Sequence, residues 1–180
     1  MAVTKKTTTK KTTTAKPAAK KTVAKPTTKK TTATKATVAK SSTEITVNGN
    51  KIMKTLQKEF SKKFEYLILC FIIDADRGKL VNVKCINTNK RLADVRKKVS
   101  SAEISIHGRT KISSIENYFW KELGIACQIG ICNYSGHKYY FPIGSFNDKT
   151  LTAANTWAKE GGCSKVTTAD IDKISSGNIF

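Results

Sequence analysis

The sequence predicts an α+β protein: two tandem units of about 59 residues, each running β-α-β-β-α, behind a disordered basic tail. Three observations predict it. Composition breaks at residue 44, the chain repeats itself at an offset of 59 residues, and apolar residues alternate between helical and strand spacing within each repeat.

The break comes first in the chain. Residues 1–43 hold 12 Lys, 15 Thr, 8 Ala and two of the three Pro, with no acid and no aromatic. That composition cannot bury enough apolar surface to offset its ordering entropy, so the segment is expected to be disordered. Residues 44–180 carry every Phe, Tyr and Trp, together with 21 basic and 13 acidic residues, which suffices for one ordinary domain or two very small ones.

Shifting the chain by 59 residues lays Glu44 on Glu103, Ile45 on Ile104, Gly49 on Gly108, Phe60 on Phe119, Lys62 on Lys121 and Ile72 on Ile131, without a gap. Conservative pairs fill the frame: Val47 with Ile106, Met53 with Ile112, Leu56 with Ile115, Phe64 with Leu123. Further along, Lys79 meets Lys138, Lys90 meets Lys149 and Leu92 meets Leu151. The boundaries read from this frame are a tail over 1–43, a first repeat over 44–102, a second over 103–168 and a C-terminal tail over 169–180.

Each repeat reads the same way. A short alternating strand (EITV, EISI) ends in a turn at Gly49 or Gly108. A helix follows, because Met53, Leu56, Phe60 and Phe64, and again Ile112, Ile115, Phe119 and Leu123, fall on one helix face. Tyr66–Ile73 and Ile125–Cys132 are apolar runs of strand length. Polar turns (DADRGK, NYSGHK) lead into returning strands (LVNVKCI, YYFPIG), which predicts a hairpin in each repeat. A short helix starting near Arg91 or Thr150 closes the unit, with Leu151, Ala154 and Ala158 as its stripe in the second. With the first strand of the next repeat, or with Cys163–Thr168 after the second, the order becomes β-α-β-β-α-β, that of ferredoxin-like folds. Units this small are expected to share strands or pack as one pseudo-symmetric body. The paired layout of strand, glycine turn and Phe-bearing helix also resembles tandem-repeat bacterial proteins of unknown function, a likeness that implies no activity.

The tail spaces its lysines singly or in pairs: Lys5, Lys6, Lys10, Lys11, Lys16, Lys20, Lys21, Lys25, Lys29, Lys30, Lys35 and Lys40. Spaced cations without acids suit polyphosphate, since each neutralised phosphate releases condensed counterions regardless of sequence. The stretch Lys16–Lys21 (KPAAKK) and Ala24-Lys25-Pro26 resembles, in composition, the lysine-rich tails of linker histones and bacterial histone-like proteins. That resemblance implies condensation or anchoring of nucleic acid.

The repeats differ in charge. Residues 44–102 hold 13 basic and 6 acidic residues, whereas 103–161 hold 6 and 5. In the first helix Lys51, Lys54, Lys58 and Lys62 lie opposite the apolar stripe, where the second has Thr110, Ser113, Asn117 and Lys121. Arg91, Arg96, Lys97 and Lys98 face Thr150, Asn155, Thr156 and Trp157 in the same way. A phosphate-contacting ridge is the functional expectation, and a solvated helix face the plainer one. In the second repeat Trp120 and Tyr139-Tyr140-Phe141 offer either base-stacking surface or core.

Little else points to chemistry. Cys127, Cys132, His137 and Cys163 are the one metal-like constellation, but their spacing departs from that of zinc knuckles. His107 and Asp74/Asp76 fall in turns, Asp170/Asp172 have no aligned acid, and no phosphate-cradling glycine motif occurs. The apolar run at 66–73 is far short of the roughly 20 residues of a membrane helix. Five cysteines without an export signal favour a reducing compartment, hence a cytoplasmic (if bacterial, nucleoid-associated) protein. The expectation is a non-enzymatic binder of DNA or RNA with no cofactor, no metal and no membrane. The alternative is a protein–protein interaction module localised by its tail, and a zinc- or Cys-dependent enzyme is the outsider.

Overall fold

The computed structural model describes residues 44–176, so the disorder expected of 1–43 and all twelve tail lysines lie outside the described residues. In chain order the elements are β1 (Ile45–Thr46), α1 (Met53–Lys63), β2 (Ile68–Phe71), α2 (Leu92–Val95) and β3 (Ser105–Ile106), then α3 (Ile112–Tyr118), β4 (Cys127–Tyr134), β5 (His137–Tyr140), α4 (Leu151–Glu160) and α5 (Thr168–Ser175). This is an α+β fold with two antiparallel sheets, one of order β1-β3 and one of order β2-β4-β5.

Both helical stripes are where the periodicity puts them. Met53, Leu56, Phe60, Phe64, Ile112, Ile115, Phe119 and Leu123 are all buried in one core cluster, against Leu69, Phe71, Cys127, Ile129 and Ile131 of the sheet. Local bonds recur at the 59-residue offset. The Met53 and Ile112 N–H groups donate to the Lys90 and Lys149 carbonyls at 3.0 and 3.1 Å. Leu92 and Leu151 N–H donate to Lys51 and Thr110 carbonyls at 3.0 and 2.9 Å, and the isolated bridges Ile52–Arg91 and Lys111–Thr150 also match. In each frame, therefore, the closing helix is tied back onto the turn that starts the long one.

Strand pairing crosses between the repeats. Thr46 pairs with Ser105, its own counterpart in the frame, and Leu69 pairs with Ile129, one position from its counterpart Gln128. The ferredoxin-like arrangement therefore does not form: β1 and β2 belong to different sheets, and each finds its partner in the other repeat. The reason is burial. All four residues of β2 are buried, and a strand covered on both faces needs a long, equally apolar partner, which β4 supplies.

The hairpins diverge. In the second repeat Tyr134 and His137 pair across Ser135-Gly136, both at positive φ (49° and 78°), the two-residue turn that matches strand twist. In the first repeat the expected returning strand over LVNVKCI is reduced to one bridge, Ile72–Cys85. There the DADRGK segment makes a 3₁₀ turn at Asp74–Asp76, and the buried Asp76 carboxylate accepts from the Lys84 N–H at 2.6 Å and pairs with Lys79. The turn is organised by a side chain, which leaves too short a run to build a strand.

Two further expectations are corrected. Cys163–Thr168 contributes a single bridge, Cys132–Ser164, in place of a strand. Most of the expected C-terminal tail over 169–180 is helix α5, whose Ile171 and Ile174 are buried and whose start is capped by reciprocal bonds between Thr167 and Asp170. Two isoleucines three apart were too few to mark a helix in the sequence, and their burial depends on surfaces distant in the chain: Ile174 packs on the sheet face away from α1, and Ile171 lies beside Lys58 and Ser61. Replacing Ile174 by Ala should lower stability by about 2–5 kcal/mol in chemical denaturation, as for a core side chain. A change under about 0.5 kcal/mol would make α5 an appendage.

Candidate nucleic-acid interface

The predicted lysine ridge of α1 is divided by its ion pairs. Lys51, with a side chain 15% exposed, reaches Glu59 and the Thr46 carbonyl, so it is a structural clasp between α1 and β1. Lys54 and Lys58 flank Asp172 of α5 at 2.9 and 3.9 Å, and the hydrogen bond from Lys54 holds the Asp172 carboxyl below its usual range. Lys62 is exposed and has no carboxylate within ion-pairing distance among the described residues. It borders a surface groove of about 620 Å³ with Lys63, Glu59 and Glu44, at the point where the tail joins the domain.

The closing-segment cations spread out. Arg91 is exposed at the start of α2, where its N–H donates to Asp94 at 3.3 Å. Arg96 is half-buried beside Tyr118 and Glu103 in a pocket of about 170 Å³. Lys97 pairs with Asp74, and Lys98 donates to the Lys121 carbonyl at 3.1 Å. The Lys58–Asp172 and Lys97–Asp74 pairs are solvent-exposed, and such pairs contribute little to stability.

Beneath this surface lies a polar site that the sequence reading missed. Gln57 of α1 is buried; its amide N–H donates to the Leu69 carbonyl at 2.8 Å, and its oxygen accepts from Thr88 at 2.9 Å and Ser175 at 3.3 Å. Gln57 thus covers the outer edge of β2 and ties it to α5. Its counterpart at the 59-residue offset is Glu116, which accepts from the Ile129 N–H of β4, beyond the end of β5, at 3.1 Å and from Asn147, the counterpart of Thr88, at 3.4 Å. Burial pushes the Glu116 carboxyl up to about 7, against the opposing Ile129 bond and the Arg77 charge. Asn147 Oδ1 is buried without a hydrogen-bond partner, whereas the first repeat completes its cluster with Ser175. The available signal was a Gln and a Glu aligned at the border of both apolar stripes.

The remaining candidates resolve into packing. Cys127 belongs to the core on the helix side of the sheet and Cys132 to the core on the other side, while His137 is exposed and stacks near Tyr140 at 6.2 Å. Among the described residues no group of three or more His, Cys, Asp or Glu is placed to hold a metal ion. All five thiols are free and buried, and burial raises Cys70, Cys127 and Cys163 and lifts Cys132 to about 12. Tyr139 and Phe141 are buried core, with the Tyr139 hydroxyl donating to Asp170 at 2.9 Å, and Tyr140 faces the opposite way against Tyr134. Trp120 is half-buried under the Arg77 guanidinium, 4.7 Å from its ring. His107 organises its turn by accepting from the Arg109 N–H at 3.2 Å.

No known protein family, no curated protein and no solved structure matches this chain. No helix among the described residues is long and apolar enough to cross a membrane.

Glu116 sets a pH dependence. Its folded-state pKa is raised, so the stability linked to its proton is present below its unfolded value, near 4.5, and is lost as pH rises through about 7. Glu116→Gln should therefore raise the melting temperature at pH 8 and leave it nearly unchanged at pH 4. Equal shifts at both pH values would sever this link.

Proposed function

We propose that the protein is a non-catalytic nucleic-acid-binding protein whose contacts to phosphate are largely independent of sequence. The distribution of charge carries this reading. Twelve lysines and no acid precede residue 44, and the tail joins the domain beside Lys62 and Lys63. A cationic arm tethered to a second basic surface raises the effective concentration of each for the same polyanion. Burial raises four of the five thiols, which weighs against the cysteine-dependent enzyme, since the thiolate is the nucleophile.

A second reading, a protein-interaction module that the tail localises, draws on a different observation. An apolar groove of about 300 Å³ lies among Ile73, Ile86, Val95 and Ile125, and Val99 nearby in sequence is 85% exposed. Titrating duplex DNA, single-stranded DNA and RNA with the full chain and with residues 44–180 separates the two. Engagement of six or more phosphates would cost the full chain about a thousandfold in affinity between roughly 50 and 200 mM salt. The shorter chain should bind more weakly, with a shallower slope. No binding by the full chain at physiological salt would overturn the nucleic-acid reading.

A further inference from the structure

We infer that the groove between the second half of α1 and the start of α5 is a seat for the phosphodiester backbone, formed by Lys58, Lys62 and Lys165. The inference rests on the nucleic-acid reading and names where the folded domain takes hold. The groove measures about 400 Å³, and besides the three lysines it is lined by Ser61, Glu65 and Thr168. Lys165 belongs to no helix and has no place in the lysine ridge of α1; it reaches the groove because α5 docks on α1 and draws the preceding segment alongside, with the Val166 N–H donating to the Glu65 carbonyl at 2.7 Å.

Three features make this groove a phosphate seat and not a set of unrelated surface charges. Its cations come from two segments about a hundred residues apart in sequence, so the converging charge is created by folding. Their acidic partners are weak competitors: Lys58 is 3.9 Å from Asp172, and the Lys165–Glu65 pair, at 2.7 Å, has both side chains more than half exposed. An exposed pair of this kind is stabilised by only about 0–1 kcal/mol, so a phosphate can replace the carboxylate at little cost. Finally, Lys62 borders both this groove and the one at Glu44 and Lys63. A strand seated against Lys58 and Lys165 and passing over Lys62 arrives where the tail begins.

The test uses the full chain and a labelled single-stranded oligonucleotide, titrated at several salt concentrations, with melting temperatures to confirm folding. Lys58→Ala/Lys62→Ala/Lys165→Ala should reduce the slope of log affinity against log salt by about 2, since each single-strand phosphate contact contributes about 0.7. A control of equal charge, Lys111→Ala/Lys121→Ala/Lys159→Ala on exposed positions of the second repeat, should reduce it by less than half as much. Glu65→Gln removes the acid that competes for Lys165 and should tighten binding about twofold, a gain that a purely structural Glu65 would not give. If the full chain binds but the groove variant keeps its slope, or the control loses as much, the seat is overturned while the nucleic-acid reading stands. If the full chain binds nothing, both fall.

Discussion

Strand β2 is buried on both faces and takes its strand partner, β4, from the other repeat. This constraint organises the molecule. One edge of β2 is paired with β4 over four residues, and the other is closed piecemeal, by the Gln57 side chain at Leu69 and by the 84–86 segment at Phe71 and Ile73. An exposed, fully apolar strand edge would template association with other chains, so closing it matters as much as pairing it. Once β2 and β4 are joined, α1 and α3 have one shared surface to cover. The opposite face then needs its own cover, and the Val83–Cys85 segment, Tyr139, Phe141 and Ile174 supply it.

The near-symmetry of the pairing gives the two repeats equivalent tasks, and their differences show how each task was solved. Gln57 caps the edge of β2 with a neutral amide that both donates and accepts. Glu116 meets the Ile129 N–H of β4, beyond the end of β5, with a carboxyl that desolvation makes prone to hold its proton. Close approach also limits the second repeat: a Cβ on Gly130 would lie 2.6 Å from the Phe141 ring, so Phe141 packs on β4 where the strand lacks a side chain. The closing helices differ for a related reason. Trp157 packs on Phe146 and Tyr134 and holds α4 for ten residues, while its counterpart Lys98 has no such anchor and α2 ends after four.

Charge follows the same division. In the first repeat Arg96, Lys97 and Lys98 stand where the second has Asn155, Thr156 and the aromatic anchor Trp157, and the helix there is shorter. Docking of α5 engages Lys54 and Lys58 through Asp172 and brings Lys165 alongside Lys58 and Lys62. The basic surface is thus a product of the tertiary arrangement, and the lysines on it are unequal: Lys51 is committed to the fold, Lys54 to α5, and Lys62 to neither.

By itself the sequence determined what local spacing encodes. The two helical stripes, the alternation that buries Tyr139 and Phe141 and turns Tyr140 away, the Ser135-Gly136 turn and the Leu151/Ala154/Ala158 stripe are all legible, because side-chain direction follows backbone period. What only the tertiary structure decided is which strand meets which. A buried strand such as ILCF is equally compatible with a partner in its own repeat or in the other, since its pattern specifies faces and not edges. The Gln57 and Glu116 clusters, the docking of α5 and the convergence of Lys58, Lys62 and Lys165 all depend on that choice. Each brings together residues distant in the chain, and no local period can record such a meeting.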